Sequence, residues 1–263
     1  MKISVVVPVY NEQDGIVPLR ENLIRFEKTL PTFMEREYVF VDDGSSDRTL
    51  SSLYSVFGQS PECIIVSHEG NRGIGAAFRT GFAHATGDIV CTIDADCTYR
   101  PEKLMDLVNA MQLEKADIAV ASPYHPNGGV VGVARWRLVL SKGCSFLYRR
   151  RSKLKLYTYT SVFRAYRAEV VKQVKFGGNG FVAASEILIQ AAKCGFTVTE
   201  VPMVLYARRV GQSKMKLAKT IRTHLRLLLT GKTGDGNPVV VEPRKKAVAS
   251  VAVAVQSSKD GVK

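Results

Sequence analysis

Six short stretches combine residue types and spacings that can do chemistry. An apolar run ends in Asp94-Ala95-Asp96 within CTIDADCTYRPEKL. Residues i and i+2 of an extended chain point the same way, so this spacing aims two carboxylates at one point. Two bare carboxylates there repel, and one of them is driven toward its protonated form. A hard divalent cation removes that cost, and oxygen donors suit Mg²⁺ or Mn²⁺, with water and substrate phosphates completing the shell. Two other apolar runs also end in acids: VPVYNE places Glu12 after Pro8 and Tyr10, and VDDGSSD places Asp42 and Asp43. Basic residues follow far downstream, with Arg137 in ARWRLVLSK and Arg208 and Lys214 in YARRVGQSKM. Glu186, in GFVAASEILIQ, is a candidate general base.

These acids need strands to carry them. Ile3–Val9 is a continuous β-branched run, the pattern of a strand buried on both faces. Further strands are expected at Tyr38–Val41, Cys63–Ser67, Asp88–Ile93, Asp117–Ala121 and Thr197–Val201. Helices are expected at Asp14–Leu30, from the Ser45-Ser46-Asp47 cap through Phe57, and at Gly75–Ala85, Pro101–Leu113, Val133–Arg150, Arg167–Lys175 and Val182–Cys194. Alternating strands and helices predict an α/β fold with a mostly parallel, doubly wound sheet. In such sheets ligands bind outside the carboxyl ends of the strands, which is where the acids fall. NRGIGAAFRTG is not a dinucleotide fingerprint, because Phe78 holds the third glycine's place. Gly73 and Gly75 are expected to form a tight loop into the helix.

Composition bounds the partners. The chain has 263 residues and a net charge of +13. Positions 231–263 hold six Lys/Arg against three Asp/Glu, so this tail explains only +3 of the charge. The remainder implies an anionic partner: nucleic acid, anionic lipid or a phosphorylated ligand. Nucleic acid is disfavoured, since the basic runs lack a recognisable stacking module. No apolar stretch reaches the ~18 residues of a membrane span, and no signal peptide is expected. Five scattered cysteines without C-x-x-C pairs favour a reducing, cytoplasmic setting. The segment Lys214–Thr230 is expected to be a basic amphipathic helix, with Met215, Ala218, Ile221, Leu225, Leu228 and Leu229 along one stripe. Together with Arg149–Arg151 and Lys153 it is expected to rest on an anionic membrane surface.

Taken in order, VPVYNE, VDDGSSDRT, NRGIGAAFRTGFAHATGDIVCTIDADCTYRPEKL, GGVVG, FRAYR and EVPMVLYARRVGQSKM resemble family 2 glycosyltransferases. The similar subgroup is that of dolichol-phosphate mannosyltransferase-like, or polyprenyl-phosphate glycosyltransferase, enzymes. The resemblance covers about residues 2–230. It implies a nucleotide-binding glycosyltransferase fold of type A and inverting transfer from a nucleoside-diphosphate sugar to a polyprenyl phosphate. The alternative is transfer to a hydroxyl acceptor, a glycan or another lipid, in cell-envelope polysaccharide synthesis. By position, the resemblance implies that Pro8, Tyr10, Glu12 and Asp42 line the nucleotide site. Asp94 and Asp96 would hold Mg²⁺ or Mn²⁺ on the diphosphate, while Arg137, Arg208 and Lys214 would hold phosphates of donor and acceptor. A phosphate acceptor needs little help from a base, whereas a hydroxyl acceptor would call on Glu186.

Residues 1–122 are then expected to form the donor half and 123–230 the acceptor half of one catalytic domain, followed by a disordered basic tail over 231–263. The enzyme is expected to be cytoplasmic and peripheral on the inner face of the membrane, with a separate membrane subunit as a possible partner. Two departures from the subgroup lie in the acceptor half. Pro123 replaces the arginine of S-R-Y, and the D-x-T-S-G-F-R segment begins instead with Thr158.

Overall fold

Hydrophobic alternation along one central strand generates both layers of the protein. In the computed structural model, which describes residues 1–152, 154–208 and 217–231, β1 (Lys2–Val9) is almost wholly buried. Val5 and Val7 face one side and Val6 the other, as strand geometry requires. On the first side lie α1 (Ile16–Glu27), α2 (Thr49–Phe57) and α4 (Leu104–Leu113), through Leu19, Leu23, Phe26, Leu53, Phe57, Leu107 and Val108. The opposite side is covered by α3 (Ile74–His84), α5 (Arg135–Arg151), α6 (Ala168–Gln173), α7 (Val182–Lys193) and α8 (Leu217–Thr230). Ala77, Phe78, Tyr148, Val170, Ile187, Leu188 and Leu227 fill that layer.

The sheet has seven strands. Besides β1 these are β2 (Glu35–Asp42), β3 (Cys63–Ser67), β4 (Ile89–Thr92), β5 (Ile118–Ser122), β7 (Arg164–Arg167) and β8 (Val198–Pro202), in the order β3-β2-β1-β4-β7-β5-β8. The chain winds outward from β1 through β2 to β3, then returns to place β4 on β1's other side. The crevice between β1 and β4 is therefore the switch point at which an open sheet takes its ligand. β6 (Gly129–Val131) and β9 (Val204–Tyr206) form a separate parallel pair.

The expected α/β architecture stands, and three strands add to it. β7 runs antiparallel between β4 and β5, where the sequence shows only RAYR before a short helix. Arginines at both ends of four residues do not look like a buried strand. Arg164 is nonetheless fully buried, and its guanidinium donates to the carbonyls of Tyr159 at 2.8 Å and Ala184 at 2.5 Å. β6 and β9 have three residues each, too short for periodicity to register. Among the described residues, no helix is long and apolar enough to cross a membrane.

Candidate active site

The loop after β1 is tied to the loop after β2 by hydrogen bonds between neighbours in space. Asn11 takes a left-handed turn, with φ at 52°. Its N–H donates to Ser45 Oγ at 2.9 Å, and its Oδ1 accepts from the Ser46 N–H at 2.8 Å. The Glu12 N–H donates to Thr49 Oγ1 at 2.7 Å. Pro8, Tyr10 and Glu12 are thereby held half-buried beside the end of β2. Asp42 lies opposite Val9 in the parallel register. Its carboxylate is buried and accepts from Ser67 Oγ at 2.9 Å and from the Ser45 N–H.

Asp43 is a residue that the motif reading left without a role. Successive strand residues point to opposite sides, so it turns away from Asp42. Its two oxygens accept from His68 Nδ1 at 2.8 Å, Asn71 Nδ2 at 3.1 Å, and the N–H groups of Arg72 and Gly73 at 3.0 and 2.7 Å. It folds the 68–73 loop into shape. The doubled aspartate was the available signal, since two adjacent acids at a strand end cannot both face the same crevice.

The paired aspartates follow β4. Thr92 sits level with Val6 of β1, and buried Ala95 anchors the turn between the two carboxylates. Cys97 adopts a φ of 50°, and its N–H donates to the Asp94 carbonyl at 3.2 Å. Asp96 Oδ1 accepts from the Thr98 N–H at 3.2 Å. The Thr98 carbonyl in turn accepts from the Tyr206 N–H at 3.0 Å, which seats β9 on this loop. Arg208 follows two residues later. Its guanidinium pairs with Glu12 and lies 3.7 Å from Asp96 Oδ2. Burial and the neighbouring Asp96 charge push the Asp94 carboxyl well above the usual carboxylate range, against the pull of Arg208.

This crevice suits a divalent cation. Asp94 and Asp96 supply hard oxygen donors whose mutual repulsion a cation would relieve. Among the described residues no three His, Cys, Asp or Glu side chains form a cage. Asp94 and Asp96 would supply two ligands, with diphosphate oxygens and water suited to further positions, as is usual for Mg²⁺.

The other expected residues divide. Arg137, in the first turn of α5, is exposed, with its guanidinium 5.2 Å from the Trp136 ring centroid. Lys214 lies outside the described residues, as do the start of its expected helix, Lys153 and the 232–263 tail. Glu186 is buried in α7. Its oxygens accept from the Gly177 and Gly178 N–H groups at 3.3 and 2.8 Å. Arg79 holds the same loop from the other side, donating to the Gly178 carbonyl at 3.1 Å and to the Asn179 side chain. The turn into α3 falls on Gly73, with φ at 92°, while Gly75 lies inside the helix and is needed for close approach, because a Cβ would lie 2.0 Å from the Gly178 carbonyl oxygen. At the subgroup departures, Ser122 Oγ and Thr158 Oγ1 lie 2.8 Å apart, joining the end of β5 to the segment before β7.

The chain matches the family model "Glycosyl transferase family 2" over residues 4–175. It is 34% identical over 228 residues to the dolichol-phosphate mannosyltransferase of Pyrococcus furiosus, covering 86% of this chain and 62% of that protein. It is 31% identical to the polyprenol monophosphomannose synthase of Mycolicibacterium smegmatis, covering 80% of each. Among solved structures, it resembles glucosyl-3-phosphoglycerate synthase from Mycobacterium tuberculosis in complex with Mn²⁺, UDP and glucosyl-3-phosphoglycerate. The TM-score is 0.64 at 20% identity, over 90% of this chain and 81% of that one. At that identity the likeness shows the shared type A fold.

Proposed function

The chain belongs to glycosyl transferase family 2, and from that premise we propose that it moves a sugar from a nucleoside-diphosphate sugar to a polyprenyl phosphate. The observation that carries this reading is the meeting of Asp94, Asp96, Glu12 and Arg208 at the β1/β4 switch point. The names of the two relatives support the acceptor class.

On this reading Tyr10, Pro8 and Asp42 line the base and ribose. Asp94 and Asp96 would hold Mg²⁺ or Mn²⁺, which when bound would stabilise negative charge on the departing diphosphate. Arg208 leaves its acids and turns its fork toward phosphate oxygens, to which guanidinium is matched. An acceptor phosphate oxygen forms its bond to the anomeric carbon on the face opposite the diphosphate. The carbon–oxygen bond to the diphosphate breaks, and its electron pair leaves with the nucleotide, inverting the configuration. No proton needs removal, since a phosphomonoester is mostly dianionic near pH 7. The engagement of Glu186 with two backbone N–H groups supports this over a hydroxyl acceptor, which would require a base. Arg137 and Lys214 are assigned to the phosphates of donor and acceptor. The work is placed at the cytoplasmic face of a membrane, with α8 and its exposed Ile221, Leu225 and Leu229 contributing to peripheral attachment.

The test is transfer of label from a panel of nucleotide sugars into organic-extractable undecaprenyl phosphate, with Mn²⁺, with Mg²⁺ and with chelator. Metal-dependent label in the lipid phase is expected. Metal-dependent donor hydrolysis with no labelled lipid would overturn the acceptor and redirect the search to hydroxyl compounds.

A further inference from the structure

The two edges of the main sheet are finished differently. β8 forms one edge. It carries Glu200, whose carboxylate accepts from the Tyr157 and Thr158 N–H groups at 2.7 and 2.8 Å, and it ends on Pro202. A charge, a proline and a covering segment are the usual guards of an edge strand. β3 forms the other edge and reads CIIVS, with no charge and no proline. Cys63, Ile64, Ile65 and Val66 are half-buried and Ser67 is exposed.

The ladder to β2 fixes which backbone groups of β3 face outward. The Tyr38 N–H donates to the Glu62 carbonyl at 2.8 Å, and the His68 N–H donates to the Asp42 carbonyl at 2.9 Å. Backbone groups alternate sides along a strand. Glu62, Ile64, Val66 and His68 therefore turn toward β2, and Cys63, Ile65 and Ser67 turn away from it. The Cys63 N–H bends back to the Ser60 carbonyl at 3.0 Å. The open edge is left with the Ile65 N–H and carbonyl, the Cys63 carbonyl and the Ser67 N–H. Among the described residues no strand pairs on that side.

This set of groups is its own complement. A twofold axis perpendicular to the sheet brings a second β3 alongside in the antiparallel sense. Ile65 then faces Ile65 of the second copy as a hydrogen-bonded pair that exchanges both N–H···O bonds. Two residues along, each Ser67 N–H meets the Cys63 carbonyl of the other copy. The same register sets Glu62 opposite His68 and Glu69 opposite Pro61, so no like charges are opposed. The surrounding charge favours the same occupant. The chain carries +13 overall, yet positions 49–71, which hold α2, β3 and the loops around them, contain no Lys or Arg. Two copies can approach here without bringing their cationic surfaces together.

We propose that β3 is a dimerisation edge, at which two copies of this chain join antiparallel about Ile65 into one continuous sheet. Such a contact uses the same patch on both copies and closes after two. It reaches the crevice through Ser67, whose N–H binds the second copy while its Oγ holds Asp42 at 2.9 Å.

The full chain is tested by sedimentation velocity over a dilution series and by amide hydrogen exchange at both ends of that series. A reversible dimer is expected. Exchange of the Ile65 and Ser67 amides should slow as the dimer forms, while the Ile64 and Val66 amides, which face β2, exchange alike in both states. Ile65→Pro removes an outward N–H and no bond to β2, and proline is tolerated on an edge strand. This variant is expected to keep the circular dichroism of the parent and to dimerise at least about 10-fold more weakly, the effect of two lost hydrogen bonds. A monomer at every concentration would overturn the proposal. So would a dimer whose Ile65 amide exchanges as fast as the monomer's, or one that the folded Ile65→Pro variant forms as tightly as the parent. Should that variant unfold, the exchange rates of the parent decide the question by themselves.

Discussion

The two ends of the same central strands hold carboxylates in opposite states. At the amino end, Glu37 on β2 is buried, yet it is held down to about 2. Burial works against that, but Lys2 Nζ lies at 2.6 Å, Ser4 Oγ donates at 2.5 Å, and Thr86 donates through both its N–H and its hydroxyl. At the carboxyl end, burial and Asp96 drive Asp94 upward. One end has its donors built in. The other gathers three acids around one guanidinium. A carboxylate that stabilises a fold is supplied with hydrogen bonds, whereas one kept for a ligand carries part of its electrostatic cost in the unliganded state.

Substitution should separate the two ends. The largest effect is expected from Asp96→Asn, which removes a charge from the crevice. Transfer should fall by at least about 100-fold while thermal unfolding stays near that of the parent. Full activity in this variant would dissolve the distinction. Glu37→Gln should do the reverse, costing about 2 kcal/mol of stability at neutral pH with Km for the donor unchanged. The pH dependence has a definite sign. Glu37 is depressed in the folded state, so its contribution is complete above the unfolded value of ~4.3 and is lost as pH falls through about 2. Denaturant midpoints of parent and variant should therefore converge over that acid window, and a constant gap would break the assignment. The smallest effect is expected from Arg208→Gln. Without its guanidinium the crevice should bind Mn²⁺ about 5-fold more tightly in the absence of nucleotide, the worth of about 1 kcal/mol of ion pairing. Titration calorimetry reads this directly, and unchanged or weaker binding would mean that Arg208 does not compete for the aspartates.

Much of the half up to Ser122 was legible because its signals are local. The unbroken ISVVVPV run identifies a doubly buried strand, and D-x-D after CTI needs only strand periodicity to converge. The helix bounds shifted slightly where the chain enters through a single 3-10 turn, as at Gln13–Gly15 and Pro101–Lys103. The half beyond Ser122 was harder. Arg164 looks like a surface residue until its guanidinium meets carbonyls contributed by two separate segments. Glu186 looks like an available base until its oxygens are seen to fasten the loop that packs on Gly75.

Sequence by itself therefore determined the strand ends and their acids, since alternation and turn chemistry are written within a few residues of one another, whereas the β1/β4 switch point came from the observed strand order. Tertiary structure alone decided which charges meet. Arg208 reaches Asp96 and Glu12 because the Tyr206 N–H binds the Thr98 carbonyl, and no periodicity encodes a contact between strands so distant in the chain. It also decided which side of α5 stays outside. The helix has apolar residues to spare on more than one side, and only the packing of Tyr148 against Tyr159 and His224 fixes which of them the fold buries.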